Sequence, residues 1–185
     1  MKSLTRIFVA LLLVVGITFG GFHSNAHAQS SPVSVNIDAN KTFDEIVNGI
    51  RFDRKFSVLV ANKTGKPLER VGAYNDLSNW PLGDIKPNTA VLQQFDGEPY
   101  SKSFSFASNY RVEPDKNIQL VAKFPVIGSR KIGLGAINQD GNQPAKQVWE
   151  NTNDRDDKAV KNFPVEGRAS IQYKDGSSVW YYEVK

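Results

Sequence analysis

Asn151-Thr152-Asn153-Asp154-Arg155-Asp156-Asp157 is the densest run of oxygen donors in the chain, and calcium is the ion such a run would serve. It lacks the D-x-[DN]-x-[DN]-G frame and the closing glutamate with which an EF-hand loop surrounds its ion. Arg155 in its middle opposes a cation, so the run reads as a solvated loop and no metal site is expected. The chain has two histidines and no cysteine, and His23 and His27 both fall in the leader described below. Beyond residue 28 neither side chain occurs. That removes Ser-His-Asp and Cys-His nucleophiles, histidine acid–base chemistry, and zinc or copper sites of nitrogen and sulfur ligands. Glu69, Asp84, Glu98 and Glu166 could in principle supply a carboxylate pair, but the sequence does not bring any two to a working separation. No catalytic residue is assigned, no cofactor is expected, and the chain reads as a non-enzymatic binding protein.

Three further patterns resolve into ordinary structure. Lys63-Thr64-Gly65-Lys66 lacks the G-x-x-x-x-G-K-[ST] frame of a phosphate loop and reads as a turn. Asn40-Lys41-Thr42 and Asn62-Lys63-Thr64 match the glycosylation acceptor pattern, which arises readily by chance, and are expected to be unmodified. The aromatics are more informative. Tyr74, Trp80, Tyr100, Tyr110 and Trp149 fall in or beside segments that read as loops. An apolar body with a polar tip suits stacking on sugars or insertion among lipid headgroups. The competing expectation is that each folds back as a lid over the core.

The elements that must position these residues are mostly strands. Val33 to Ile37 alternates as a short edge strand. Thr42-Phe43-Asp44-Glu45 is a capping box, followed by Phe43, Ile46, Val47 and Ile50 on one helical stripe. Gly49 weakens that helix by about 1 kcal/mol relative to Ala, which predicts an end near Arg51. Lys55 to Ala61 reads as a strand, Asn62 to Pro67 as its turn and Leu68 to Tyr74 as the return strand of a hairpin. Strands are predicted at 90–95, 103–106, 117–124 and 131–138, with Asp96-Gly97 and Asp140-Gly141 as turns. Pro144 to Glu150 reads as a short helix with Pro144 at its first position. Arg168 to Tyr173 and Val179 to Val184 flank Asp175-Gly176 as a last hairpin. Trp180, Tyr182 and Val184 share one face of that strand, and Val179 and Tyr181 the other. Both faces must be covered, and Trp180 is expected in the core. Many short strands with frequent turns make a mainly β fold, a β-sandwich flanked by one or two short α-helices.

Export frames the rest. Lys2 and Arg6 precede a nearly unbroken apolar stretch, Ile7 to Gly20, and Ala26-His27-Ala28 supplies a small-x-small cleavage pattern. Residues 1–28 read as a secretory signal peptide, leaving 29–185 as a single domain in an extracellular or periplasmic setting. Loss of Lys2 and Arg6 lowers the formal charge of +4 by two. The remaining basic residues are scattered, so no nucleic-acid partner is expected.

The order of features then resembles a family. An amphipathic helix leads into Arg54-Lys55-Phe56-Ser57-Val58-Leu59-Val60, and the N-x-x-G-K turn follows at Asn62 to Lys66. Next come a strand reaching Tyr74, a loop with Ser78, a Lys86 turn and Asp96-Gly97. Ile118 to Phe124 is a strand closed by Pro125, and a short helix near Trp149 precedes the final hairpin. This is similar to the actinoporins and the related fungal fruit-body lectins, cysteine-free β-sandwiches with a helix on each face. The resemblance implies a protein that binds membrane lipid headgroups and permeabilises bilayers as a cytolysin does, with self-association on the membrane left open. It implies a lipid-headgroup or sugar site at Tyr74, Ser78, Trp80, Pro125 and Trp149. It also implies phosphate contacts from Arg130 and Lys131, and a membrane-interacting helix through Phe43, Ile46, Val47 and Ile50. Ser78 stands one residue out of register with the family serine. The family's tyrosine pair is replaced by Asn153 and Asp154, and its tryptophan-rich loop by Ile127-Gly128-Ser129-Arg130-Lys131-Ile132. Thr42 to Ile50 would make roughly 14 Å of helix against a hydrocarbon core of ~30 Å, so covering the core is the expectation that length favours. A glycan-binding lectin-like module, and a structural or protein-interaction domain without a small ligand, are the alternatives.

Overall fold

The computed structural model describes residues 31–75, 82–97, 103–142, 158–162 and 165–185. Among them the strands are β1 (Val33–Asn36), β2 (Phe56–Asn62), β3 (Glu69–Asn75), β4 (Thr89–Phe95), β5 (Phe104–Glu113), β6 (Lys116–Phe124), β7 (Lys131–Ile137), β8 (Lys158–Asn162), β9 (Glu166–Lys174) and β10 (Ser177–Val184), with one helix, α1 (Phe43–Val47). They form a six-stranded sheet, β1-β4-β2-β10-β9-β8, and a four-stranded sheet, β3-β5-β6-β7. The chain is therefore mainly β, a two-sheet sandwich, as the strand pattern predicts. The expected helix at Pro144 to Glu150, which includes Trp149, and the run Asn151 to Asp157 lie outside the described residues.

β10 shows how sequence becomes layer. Trp180, Tyr182 and Val184 enter the core between the sheets, while Val179 and Tyr181 enter a second core on the outer side of the six-stranded sheet. Phe43 of α1 meets Tyr181 there, ring edge to face at 5.3 Å between centroids. Trp180 is fully buried, and the Tyr182 hydroxyl donates across the sandwich to the Val121 carbonyl. The hairpin leading into β10 turns on Asp175 and Gly176, both at positive φ, with Lys174 paired to Ser177. Two central residues of that conformation match the right-handed twist of the flanking strands, which is why Asp-Gly closes it.

Two expectations are corrected. Leu68 to Tyr74 is not the return strand of a hairpin with β2. β2 lies between β4, antiparallel, and β10, parallel, with Trp180 beside Val58 and Tyr182 beside Val60. Both of its edges are used, and both of its faces are buried, so the chain after Asn62 crosses to the other sheet and β3 pairs with β5. The crossing is pinned by Asn62, whose Nδ2 donates to the carbonyls of Lys66, Ile85 and Lys86 and whose Oδ1 accepts from the Thr64 amide and hydroxyl. With no exposed surface, Asn62 cannot carry a glycan in this fold.

α1 is the second correction. Its capping box forms as read: the Glu45 amide donates to Thr42 Oγ1 and the Thr42 amide donates to Glu45 Oε2 at 2.7 Å. The helix nonetheless stops at Val47, short of Arg51, because Asn48 leaves helical dihedrals and Gly49 sits at φ +79°. Ile46 and Val47 are buried, with Phe43 and Ile50 packed against the same outer core. The stripe packs on the sheet, with Ile46 and Val47 buried and Phe43 and Ile50 partly so, and burying all of it in a bilayer would require α1 to leave the protein.

The foot of α1 is held by a charge pair between buried Lys63 and half-buried Glu183. Lys63 Nζ donates to the Lys41 carbonyl at 2.6 Å and to Glu183 Oε2 at 2.7 Å, and the Tyr181 hydroxyl donates to the same carboxylate at 2.9 Å. Burial pushes the Glu183 carboxyl up, but the hydrogen bonds from Lys63 and Tyr181 and the positive charges of Lys63 and Lys185 outweigh it and hold it below its ordinary value of 4.5. A depressed folded-state value contributes stability that is complete above the unfolded value and is lost as pH falls through the folded one. Denaturation midpoints should therefore drop from about pH 4.5 downward. In Glu183→Gln the midpoint at neutral pH should be lower and the acid limb shallower. An acid limb as steep as wild type would remove Glu183 from the account.

Candidate functional site

The end of the sandwich where β6 passes into β7 carries the most exposed apolar surface among the described residues. Pro125, with no amide to donate, ends β6. Gly128 at φ +113° turns the chain where a side-chain-bearing residue would be strained. Between them Val126 is 69% exposed and Ile127 91%. The base of the loop is fixed, because Trp180 Nε1 donates to the Lys131 carbonyl at 2.8 Å. Beneath lies a cluster of rings. Phe56 sits 5.0 Å from Phe124 and Phe104 lies 4.7 Å from Trp180 and 4.8 Å from Phe95, centroid to centroid. The apolar tip is thus a short exposed crest on a closely packed aromatic floor, and its exposure is not the result of a loose core.

Arg130 closes the mouth between the two sheets. Its guanidinium carbon lies 5.4 Å from the ring centroid of Phe124 on β6 and 5.4 Å from that of Tyr173 on β9. Its Nη1 donates to the Tyr173 hydroxyl at 3.2 Å. Tyr173 itself is 64% exposed. Lys123 and Lys131 stand directly opposite one another across β6 and β7. Lys174 follows Tyr173 at the hairpin tip, 4.0 Å from Asp175, and Arg54 at the same end pairs with Asp96.

The structure therefore brings Pro125, Arg130 and Lys131 together. Tyr74 stands apart: it pairs with Ala107, which pairs with Val121, two strands over and four residues back from Pro125. Strand geometry makes that offset on the order of 15 Å. Ser78, Trp80 and Trp149 lie outside the described residues, as does Tyr100. Tyr110 is not in a loop; it lies within β5, wholly buried in the inter-sheet core, which is the lid-or-core expectation for that residue. Sequence reasoning missed Val126 and Tyr173. The loop 127–132 has no aromatic of its own, and the tertiary structure supplies one from a strand some forty residues on. The only local signal was Tyr173's place just before the Asp175-Gly176 turn.

The opposite end carries a shallow cavity of about 300 Å³ lined by Thr64, Lys66, Leu68, Val112, Glu113 and Val165. Its charged rim is partly committed, with Glu113 paired to Lys116 at 3.0 Å. Among the described residues no three His, Cys, Asp or Glu side chains gather as metal ligands.

No protein-family model matches the chain, and no curated protein matches it. Among solved structures it is similar to the crystal structure of the lipid binding protein Nakanori, with a TM-score of 0.56 and 10% identity over 70% of each chain. That structure has an actinoporin-like fold. At this identity the likeness is one of fold, and it supports the fold family that the order of sequence features resembles.

Proposed function

We propose that this is an exported, non-enzymatic protein that docks on lipid membranes through the β6–β7 end of its sandwich. The observation that carries the reading is the Val126–Ile127 tip. Burying an aliphatic side chain of this size removes it from water for about 1.5–3 kcal/mol, and a folded domain gains nothing by leaving two of them at the crest of a loop. Around the tip stand the residue types that suit a membrane interface. Tyr173 offers a ring with a polar end at headgroup depth, and Arg130, Lys123, Lys131 and Lys174 bring positive charge toward lipid phosphates. The structural neighbour is itself described as lipid binding, which supports a lipid partner at the coarse level.

The proposal is docking, with no part for α1 in crossing the bilayer. The stripe of Phe43, Ile46, Val47 and Ile50 holds the outer core together, and no helix among the described residues is long and apolar enough to cross a membrane. Sedimentation of residues 29–185 with phospholipid vesicles tests the reading, with release of an entrapped dye measured alongside. Binding without release is the expected outcome. Failure to sediment with vesicles of any composition would sink the proposal, and dye release would add permeabilisation to it.

A further inference from the structure

Resting on the reading that this end meets a membrane, we infer that the lipid it selects is an anionic phospholipid, gripped through its phosphate by Arg130. A quaternary-ammonium headgroup is disfavoured by the same geometry. Recognition of such a cation needs open aromatic faces. The two rings at the mouth, Phe124 and Tyr173, already have a cation against them, the guanidinium of Arg130 at 5.4 Å from each. The site thus presents a positive charge where a cage for one would present ring faces.

Arg130 also differs from Arg54, Arg111 and Arg168. Arg54 pairs with Asp96, Arg111 with Glu69 and Asp140, and Arg168 with Glu166. Arg130 has no carboxylate partner among the described residues, and its only hydrogen bond among them runs from Nη1 to the Tyr173 hydroxyl. Its Nε is buried and makes none among them. A planar guanidinium held between rings is pre-oriented, so little side-chain freedom is lost when it takes two oxygens of a phosphate. Its height fits as well. Arg130 is three residues from Ile127, at most ~10 Å of chain. With Ile127 at the acyl boundary, Arg130 then stands within or just outside the headgroup layer, which is ~5–8 Å deep on each side of the hydrocarbon. Lys123 and Lys131, opposed across β6 and β7, raise the local positive potential.

The test compares sedimentation of residues 29–185 on phosphatidylcholine vesicles with that on vesicles containing phosphatidylglycerol, for wild type, Arg130→Gln and Arg130→Lys. Wild type should bind the anionic vesicles about five- to tenfold more tightly, a preference weakened by salt. Arg130→Gln should lose most of that preference, and Arg130→Lys should keep a part, having the charge without the fork. Thermal midpoints of both variants are measured in parallel. Should Arg130→Gln fail to fold, the wild-type preference and the lysine variant still decide. Equal wild-type binding to both compositions, or a glutamine variant with its preference intact, would overturn the assignment to anionic lipid and leave membrane docking standing. Absence of binding to either composition would overturn both. Displacement by inorganic phosphate, beyond that caused by chloride at equal ionic strength, would move the site to a soluble anion and overturn the lipid assignment.

Discussion

Replacing Val126 and Ile127 together by aspartate is expected to weaken vesicle binding by about a hundredfold or more while leaving the melting temperature close to wild type. The two halves of that expectation have separate causes. Val126 and Ile127 are 69% and 91% exposed, so little folded-state packing is lost, and surface changes of this kind usually stay within about 0.5 kcal/mol. In the docked state the same side chains would leave water. Two aliphatic groups at ~1.5–3 kcal/mol each amount to two or more decades of affinity at about 1.4 kcal/mol per decade. Aspartate also repels an anionic surface. Titrating vesicles against a fixed protein concentration gives the partition coefficient. A double variant that partitions like wild type would show that this loop is not the docking element, whatever else binds.

The second large effect is on the fold. Trp180→Ala should cost about 3–5 kcal/mol, out of a total of roughly 5–15 kcal/mol for a domain. Trp180 has no exposed surface and contacts Phe56 and Phe104, so its removal leaves a cavity between the sheets at the foot of the β6–β7 loop. Trp180→Phe separates the ring from its donor. It retains most of the apolar volume but removes the hydrogen bond that Trp180 Nε1 donates to the Lys131 carbonyl at 2.8 Å, costing about 1 kcal/mol. Because Lys131 is the base of the loop, the phenylalanine variant should also bind vesicles less tightly than its loss of stability explains. Denaturant melts of both variants provide the check. A cost below about 1 kcal/mol for alanine would mean that the inter-sheet core closes over the gap, which the surrounding rings leave little room to do.

How much of this was readable in advance depends on the range of the signal. The alternation Val179-Trp180-Tyr181-Tyr182 places aromatic groups on both faces of one strand, and both faces are in fact buried in separate cores. Thr42 and Glu45, three residues apart, form the cap they spell, and Asp175-Gly176 forms the turn it spells. Each signal is complete within a few residues. The stop of α1 at Val47 was half legible: Gly49 announced an end, but only Asn48's departure from helical dihedrals put it four residues early. The candidate site was much less legible. Arg130 and Lys131 could be named as cations, yet Ile127 in a sequence looks the same whether it crowns a loop or fills a core.

What the sequence alone determined is the character of the chain: no histidine or cysteine chemistry beyond residue 28, strands with two apolar faces, one capped helix and a set of turns. These follow from residue type and from periods of two and 3.6, which are local properties of the backbone. Tertiary structure alone decided that β2 lies parallel to β10 instead of folding back on β3. It alone set Arg130 between rings from opposite sheets and left Ile127 in the open. Strand pairing depends on which edges remain unfilled once every other strand has docked, and exposure depends on what is left to cover a residue. Neither quantity exists until the whole chain has packed.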